Sequence, residues 1–157
     1  MLKYVNFDIV FQEIPDEVTL AINISNCSNG CSGCHSPFLQ QDMGETLTEE
    51  ILTSLLYEYG KSVTCICFMG GDSDPDEIVR LAGFLQTQSF VSVKVGWYSG
   101  RQDVPSSFRP DFFQYIKLGP YVEHLGSLKS DTTNQRLYKV DENGQMIDIT
   151  FRFWKTA

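Results

Sequence analysis

Apolar and polar positions divide the chain into short strands and two amphipathic helices. Residues 18–24 (VTLAINI) are dense in β-branched side chains and predict a strand that runs straight into a cysteine-bearing loop. Leu47, Ile51, Leu55 and Tyr59 recur every four residues, with Leu52 and Leu56 widening the stripe, and predict a helix ended by Gly60. Thr46-Leu47-Thr48-Glu49 reads as its capping box, with Thr46 as N-cap and Glu49 reaching back. Residues 63–68 predict a buried strand that stops at Gly70-Gly71. Asp74 as N-cap, Pro75 at the first position and Glu77 as capping-box partner open a second helix, whose apolar face is Ile78, Val79, Leu81, Ala82 and Leu85. Residues 91–98 predict a third strand and residues 115–118 a weaker one. Residues 136–140 and 146–153 flank Asn143-Gly144, a pair that marks a hairpin turn.

Strand, helix, strand, helix, strand implies parallel pairing with right-handed crossovers, hence an α/β fold. Ligands in such sheets bind beyond the carboxyl ends of the strands. Three unusual loops stand at such ends: the cysteine loop, Gly70-Gly71-Asp72, and Tyr98-Ser99-Gly100. Parallel topology brings all three to one rim. The 157 residues form a single domain, 1–157, too short for a complete eight-fold barrel of about 250 residues. The expectation is a partial, truncated (β/α) barrel with mostly parallel strands and a C-terminal β-hairpin.

Charge narrows the function classes. Twelve Lys and Arg stand against 20 Asp and Glu, a formal net charge of -8. That argues against nucleic acid, whose nonspecific binding depends on neutralising phosphates, and against polybasic attachment to a membrane. No stretch approaches the roughly 18 apolar residues of a membrane helix. Polar residues interrupt the first eight positions too soon for a signal peptide. A cytoplasmic location with reduced thiols is expected. The five cysteines are an odd number, which a full disulfide framework cannot use.

Three of those cysteines, Cys27, Cys31 and Cys34, cluster in Cys27-Ser28-Asn29-Gly30-Cys31-Ser32-Gly33-Cys34-His35. Spacings of this kind can turn three sulfurs toward one centre, and Gly30 and Gly33 permit the positive φ of a tight wrap. Soft thiolates select zinc or iron–sulfur clusters. Three in one loop suit a cluster better than structural zinc, which usually takes two separated ligand pairs. His35 is a poor fourth zinc ligand because it adjoins Cys34. A four-iron cluster normally takes four cysteines, so three would leave one iron with an open position. The bland reading is three unligated thiols. Cys65 and Cys67 alternate along a strand and read as buried small hydrophobes. His124 is isolated and reads as a surface or packing residue.

The spacing of Cys27, Cys31 and Cys34 resembles the signature of the radical S-adenosylmethionine (SAM) enzymes. Cys-Ser-Gly-Cys-His-Ser-Pro at residues 31–37 is similar to the activating proteins of anaerobic (class III) ribonucleotide reductases, as are Gly70-Gly71-Asp72, Tyr98-Ser99-Gly100, Gly119-Pro120-Tyr121 and Thr133-Asn134-Gln135-Arg136. The resemblance spans most of residues 20–140. It implies a fold of radical SAM type and, as cofactors, a 4Fe-4S cluster on Cys27, Cys31 and Cys34 together with S-adenosyl-L-methionine. It implies cofactor contacts from Gly33, Cys34, His35, Gly70, Gly71, Asp72 and Ser99; for Asp72 service to the following helix, and for Ser99 a local cap, stand as the alternatives. Arg136, with Asn134 and Gln135, would contact the partner or the cofactor carboxylate, or stabilise a turn.

The reaction implied is reductive cleavage of the cofactor by an electron from a flavodoxin or ferredoxin. It gives a 5′-deoxyadenosyl radical that abstracts hydrogen from a glycine of the large reductase subunit. Two alternatives remain: a radical enzyme acting on a small molecule, as the 7-carboxy-7-deazaguanine synthases do, and a noncatalytic metal-binding module.

Overall fold

A computed structural model describes residues 1–27, 37–89 and 91–154. The strands are β1 (Lys3–Val10), β2 (Thr19–Ile24), β3 (Glu45–Thr46), β4 (Cys65–Met69), β5 (Lys94–Tyr98), β6 (Tyr115–Leu118), β7 (Arg136–Val140) and β8 (Met146–Asp148). The helices are α1 (Glu49–Tyr59) and α2 (Pro75–Gln86). The strands make one mixed sheet in the order β3-β1-β2-β4-β5-β6-β7-β8. β2, β4, β5 and β6 run parallel, as the strand–helix alternation predicts. β7 and β8 form the expected antiparallel hairpin. β3 and β8 are the sheet's two edges, so the sheet is open rather than a closed barrel.

Side-chain alternation gives the sheet two unlike faces. Ile22, Phe68, Trp97 and Ile116 lie in register across the four parallel strands and pack under the helices. Leu52 and Leu56 of α1 and Ile78, Leu81 and Leu85 of α2 complete that core. Each such fully buried side chain contributes roughly 1.5–3 kcal/mol. The opposite face carries Cys65, Cys67, Tyr115 and Leu137, which pack with Ile14 and Leu128. With both helices on one side, the other side remains accessible along its carboxyl end.

Several local details differ from the sequence reading. β1 pairs antiparallel with β2 and was not expected. Its polar residues interrupt a purely apolar run, and its burial is only partial, with Asn6, Asp8 and Ile9 exposed. Thr46 does not cap α1. It pairs with Lys3 in β3, and the Leu47 N–H bonds the Leu2 carbonyl at 2.8 Å, so the chain stays extended. Thr48 is the N-cap, its hydroxyl accepting from the Ile51 N–H at 3.2 Å. Asp74 is the α2 N-cap with Pro75 next, but no capping box forms. The Asp74 carboxylate pairs with the Met1 ammonium, and Glu77 pairs with Arg80. The final strand ends at Asp148, and a 3-10 turn follows at Thr150–Phe153. There the buried Thr150 hydroxyl accepts from the Leu137 N–H at 2.8 Å, taking the place of a further ladder partner.

At the amino ends of the strands, Glu17 is buried to 6% exposure. It accepts hydrogen bonds from the Tyr115 hydroxyl at 2.5 Å and the Thr64 hydroxyl at 2.7 Å, and pairs with the Lys94 ammonium at 3.1 Å. Burial alone would raise its carboxyl, yet those donors more than offset this and hold it below the ordinary range. One carboxylate thus ties together β4, β5 and β6 at the end of the sheet away from the three unusual loops.

Candidate site at the carboxyl ends of the parallel strands

Asn23, Met69, Tyr98 and Lys117 are in register on the helix-free face, each at or near the carboxyl end of its strand. All four line a cavity of about 630 Å³, with Gln12, Leu128, Gln135 and Phe153 among its other walls. That volume falls in the range of about 300–1,000 Å³ for small-ligand sites. Lys117 is the residue that pattern reading missed. It is only 7% exposed, and its ammonium donates to the carbonyls of Ser99 at 2.9 Å and Gly119 at 3.1 Å. It also lies 5.7 Å from the centre of the Tyr98 ring. The available signal was a lysine within an otherwise apolar four-residue strand, since buried lysines are rare without partners.

The glycine turn after β4 has the conformation its sequence requires. Gly70 and Gly71 have φ of 111° and 96°, a region that favours glycine. A Cβ on Gly71 would lie 2.5 Å from Ile78 Cδ1, so both strain and space exclude a side chain. The Gly70 carbonyl accepts from Trp97 Nε1 at 2.7 Å, and the Gly71 carbonyl accepts from the Asp74 N–H at 3.1 Å. Asp72 and Ser99, read from the sequence as cofactor contacts, bond each other: the Ser99 hydroxyl donates to Asp72 Oδ1 at 2.6 Å. The Gly100 N–H donates to Asp72 Oδ2 at 2.8 Å.

Cys27 stands three residues beyond β2, half-buried, on the same rim. Asn26 precedes it in the left-handed region, φ 64°. The Asn26 N–H bonds the Gln41 carbonyl at 3.0 Å and the Cys27 N–H bonds the Leu39 carbonyl at 2.8 Å, so the two chain segments flanking the cysteine loop lie side by side. Cys31, Gly33, Cys34 and His35 lie outside the described residues. Among the described residues, no group of three or more His, Cys, Asp or Glu is set to hold a metal.

Cys65 and Cys67 are fully buried. Burial, reinforced by the charge of Glu17, pushes the Cys65 thiol up to about 12, and burial lifts Cys67 well above its ordinary value. Thiols held protonated in this way are poor metal ligands, and packing is their role, as the strand alternation indicates. Asn134 and Gln135 hold the turn after β6: Asn134 Nδ2 donates to the Pro120 carbonyl at 3.0 Å and Gln135 Nε2 to the Gly119 carbonyl at 3.5 Å. Arg136 pairs with Asp148 of β8 at 3.7 Å and lies over Trp154, so it ties the hairpin together. His124 is exposed.

The cavity has the size and polarity of a small-ligand site. A buried cation and aromatic walls from Tyr98 and Tyr121 line it, and the Gly70-Gly71 turn follows Met69, which is one of its walls. Cys27 stands three residues beyond the end of β2, whose Asn23 is another wall of the cavity. Comparison with known proteins finds no matching family model, no matching curated protein and no matching solved structure.

Proposed function

We propose that this chain is a cytoplasmic radical SAM activating enzyme with a truncated barrel of that type. It would install a glycyl radical on the large subunit of an anaerobic ribonucleotide reductase. The observation that carries the reading is convergence. The Cys27 segment, the Gly70-Gly71 turn and the Ser99 loop meet at one rim above the Asn23–Met69–Tyr98–Lys117 row.

Cys27, Cys31 and Cys34 would hold a 4Fe-4S cluster. Gly70 and Gly71 would receive the methionine end of S-adenosylmethionine by close backbone approach, with Gly33, Cys34 and His35 alongside. When bound, these groups would supply one-electron reductive chemistry, with the electron from a flavodoxin or ferredoxin, by which a partner glycine Cα would lose a hydrogen atom. The chain's own part is orientation and exclusion of competing reactions. The Lys117 ammonium sets a positive charge at the cavity wall, suited to an anionic group of the ligand. Tyr98 and Tyr121 offer ring faces to a heterocycle.

A second reading, action on a small molecule, draws on one observation: Leu128, Lys129, Gln135 and Phe153 add a C-terminal wall to the cavity.

The test is anaerobic reconstitution followed by reduction in the presence of S-adenosylmethionine and a candidate reductase subunit. The expected result is cleavage to 5′-deoxyadenosine and a glycyl-radical doublet in the electron paramagnetic resonance spectrum, absent when the target glycine is replaced by Ala. Cys27→Ala should remove most iron, and Cys67→Ser should retain it. Turnover of a small heterocycle without any protein radical would favour the second reading. Absence of both iron and cleavage would overturn the enzyme class.

A further inference from the structure

The carboxyl end of β5 grips the turn after β4 at two points on either side of Gly71. Trp97 Nε1 holds the Gly70 carbonyl at 2.7 Å. The Asp72 carboxylate receives the Ser99 hydroxyl at 2.6 Å and the Gly100 N–H at 2.8 Å. The Arg101 N–H adds a bond to the Ser99 hydroxyl at 3.1 Å. The Gly70 N–H, in turn, donates to the Tyr98 carbonyl at 3.0 Å. Asp72 and Ser99 are 6% and 2% exposed. Neither lines the cavity on the helix-free face, whose walls at this level are Met69, Tyr98 and Lys117. They line a smaller pocket of about 330 Å³ beside Pro75 and Trp97.

We propose that Asp72 and Ser99 are positioning residues: a buried latch between the β4 and β5 loops that fixes the Gly70–Gly71 backbone for its ligand without touching that ligand. The inference rests on the reading that this backbone receives S-adenosylmethionine, and it changes the roles which the resemblance implies for Asp72 and Ser99. Its physical basis is cooperative restraint. Two glycines at positive φ have the greatest backbone freedom of any residues, and a site held only by its own turn would lose that freedom on binding. A carboxylate with two short donors, out of water, supplies restraint before the ligand arrives.

The test compares Asp72→Ala, Asp72→Asn, Ser99→Ala and Ser99→Thr in the full chain. One measurement is amide hydrogen exchange at Gly70, Gly100 and Arg101 without cofactor. The other is equilibrium binding of S-adenosylmethionine to the iron-loaded protein. Asp72→Ala and Ser99→Ala should speed exchange at Gly100 and Arg101 and weaken binding about tenfold, the scale of one lost hydrogen bond to a charged group. Ser99→Thr, which keeps the hydroxyl, should restore both. Asp72→Asn, which keeps an acceptor but no charge, should lie between parent and Asp72→Ala in both.

Weak binding by Asp72→Asn with exchange unchanged from the parent would overturn the proposal in favour of direct charge contact. Faster exchange with unaltered affinity would overturn it as well. If Asp72→Ala does not fold, the two Ser99 variants decide. If the parent binds no S-adenosylmethionine, the functional reading fails separately. The latch is then judged on Gly70 exchange, which must rise in Ser99→Ala for the brace to stand.

Discussion

Glu17 and Gly71 show how much a single position can carry in this chain. The Glu17 carboxyl lies below its ordinary value of 4.5 in the folded protein, because Tyr115, Thr64 and Lys94 outweigh the effect of burial. As pH falls, the unfolded chain therefore takes up this proton before the folded one does. The stabilisation is full above pH 4.5 and is lost as pH drops through the folded value. Glu17→Gln should lower the unfolding free energy at pH 7 by about 2 kcal/mol, the scale of hydrogen bonds to a charged group. The deficit should shrink in urea titrations at pH 3. An equal deficit at both pH values would show that the charge is immaterial.

Gly71 is constrained from the other direction. With φ at 96° and Ile78 Cδ1 only 2.5 Å from a built Cβ, Gly71→Val should cost about 1–3 kcal/mol in chemical denaturation. On the proposed function it should also weaken S-adenosylmethionine binding while the iron content holds. Unchanged binding would move the cofactor elsewhere on the rim.

At the scale of elements, the start of α1 separates two threonines that the sequence presents as near equivalents. Thr48 accepts the Ile51 N–H, whereas Thr46 is an exposed residue of a two-residue strand. Thr48→Ala should cost about 1 kcal/mol, the usual worth of an N-cap. Thr46→Ala should fall within about 0.5 kcal/mol of the parent, as exposed substitutions do. Thermal melts of the pair would check this, and the reverse order would return the cap to Thr46. The link between α1 and α2 through Arg80, which meets both Glu49 and Glu77, adds little by comparison. All three groups keep contact with water, and exposed ion pairs are worth 0–1 kcal/mol, roughly.

At the scale of the whole molecule, the sheet order puts the four parallel strands inside and the shortest strands, β3 and β8, at the edges. Opening should therefore be graded. Amides of β4 and β5 should exchange slowest, and those of β8 should exchange fastest among the strands from β4 onward. Uniform protection across the sheet would contradict this gradient. The same order leaves the helix-free face accessible at its carboxyl end. On the proposed function a partner's glycine segment would approach there, and any docking contribution of the net charge of -8 should weaken as salt shortens screening to about 8 Å.

Much of the architecture was legible in local pattern. β-branched runs, four-residue spacing and an Asn-Gly turn depend on neighbours within a few positions, and they placed β2, α1, β4, α2, β5, β6 and the β7–β8 hairpin. The parallel pairing also followed, because a strand–helix–strand unit has few right-handed solutions. β1 was not legible. Its partner lies across a turn, and pairing with β2 decides the state of a segment whose own alternation is weak. Thr46 was misread for the same reason, since pairing with β1 outweighs its local capping signal.

The candidate site divides along the same line. Cys27, Gly70 and Gly71 announced themselves, because spacing and glycine conformation are local properties. Lys117 did not, nor did the engagement of Asp72 with Ser99. Each depends on which residues stand opposite one another across parallel strands, and 27 positions separate Asp72 from Ser99. Sequence alone determined the cysteine spacing and the glycine turn after β4; only the assembled sheet decided which buried charge lines the cavity and which carboxylate bonds the loops together.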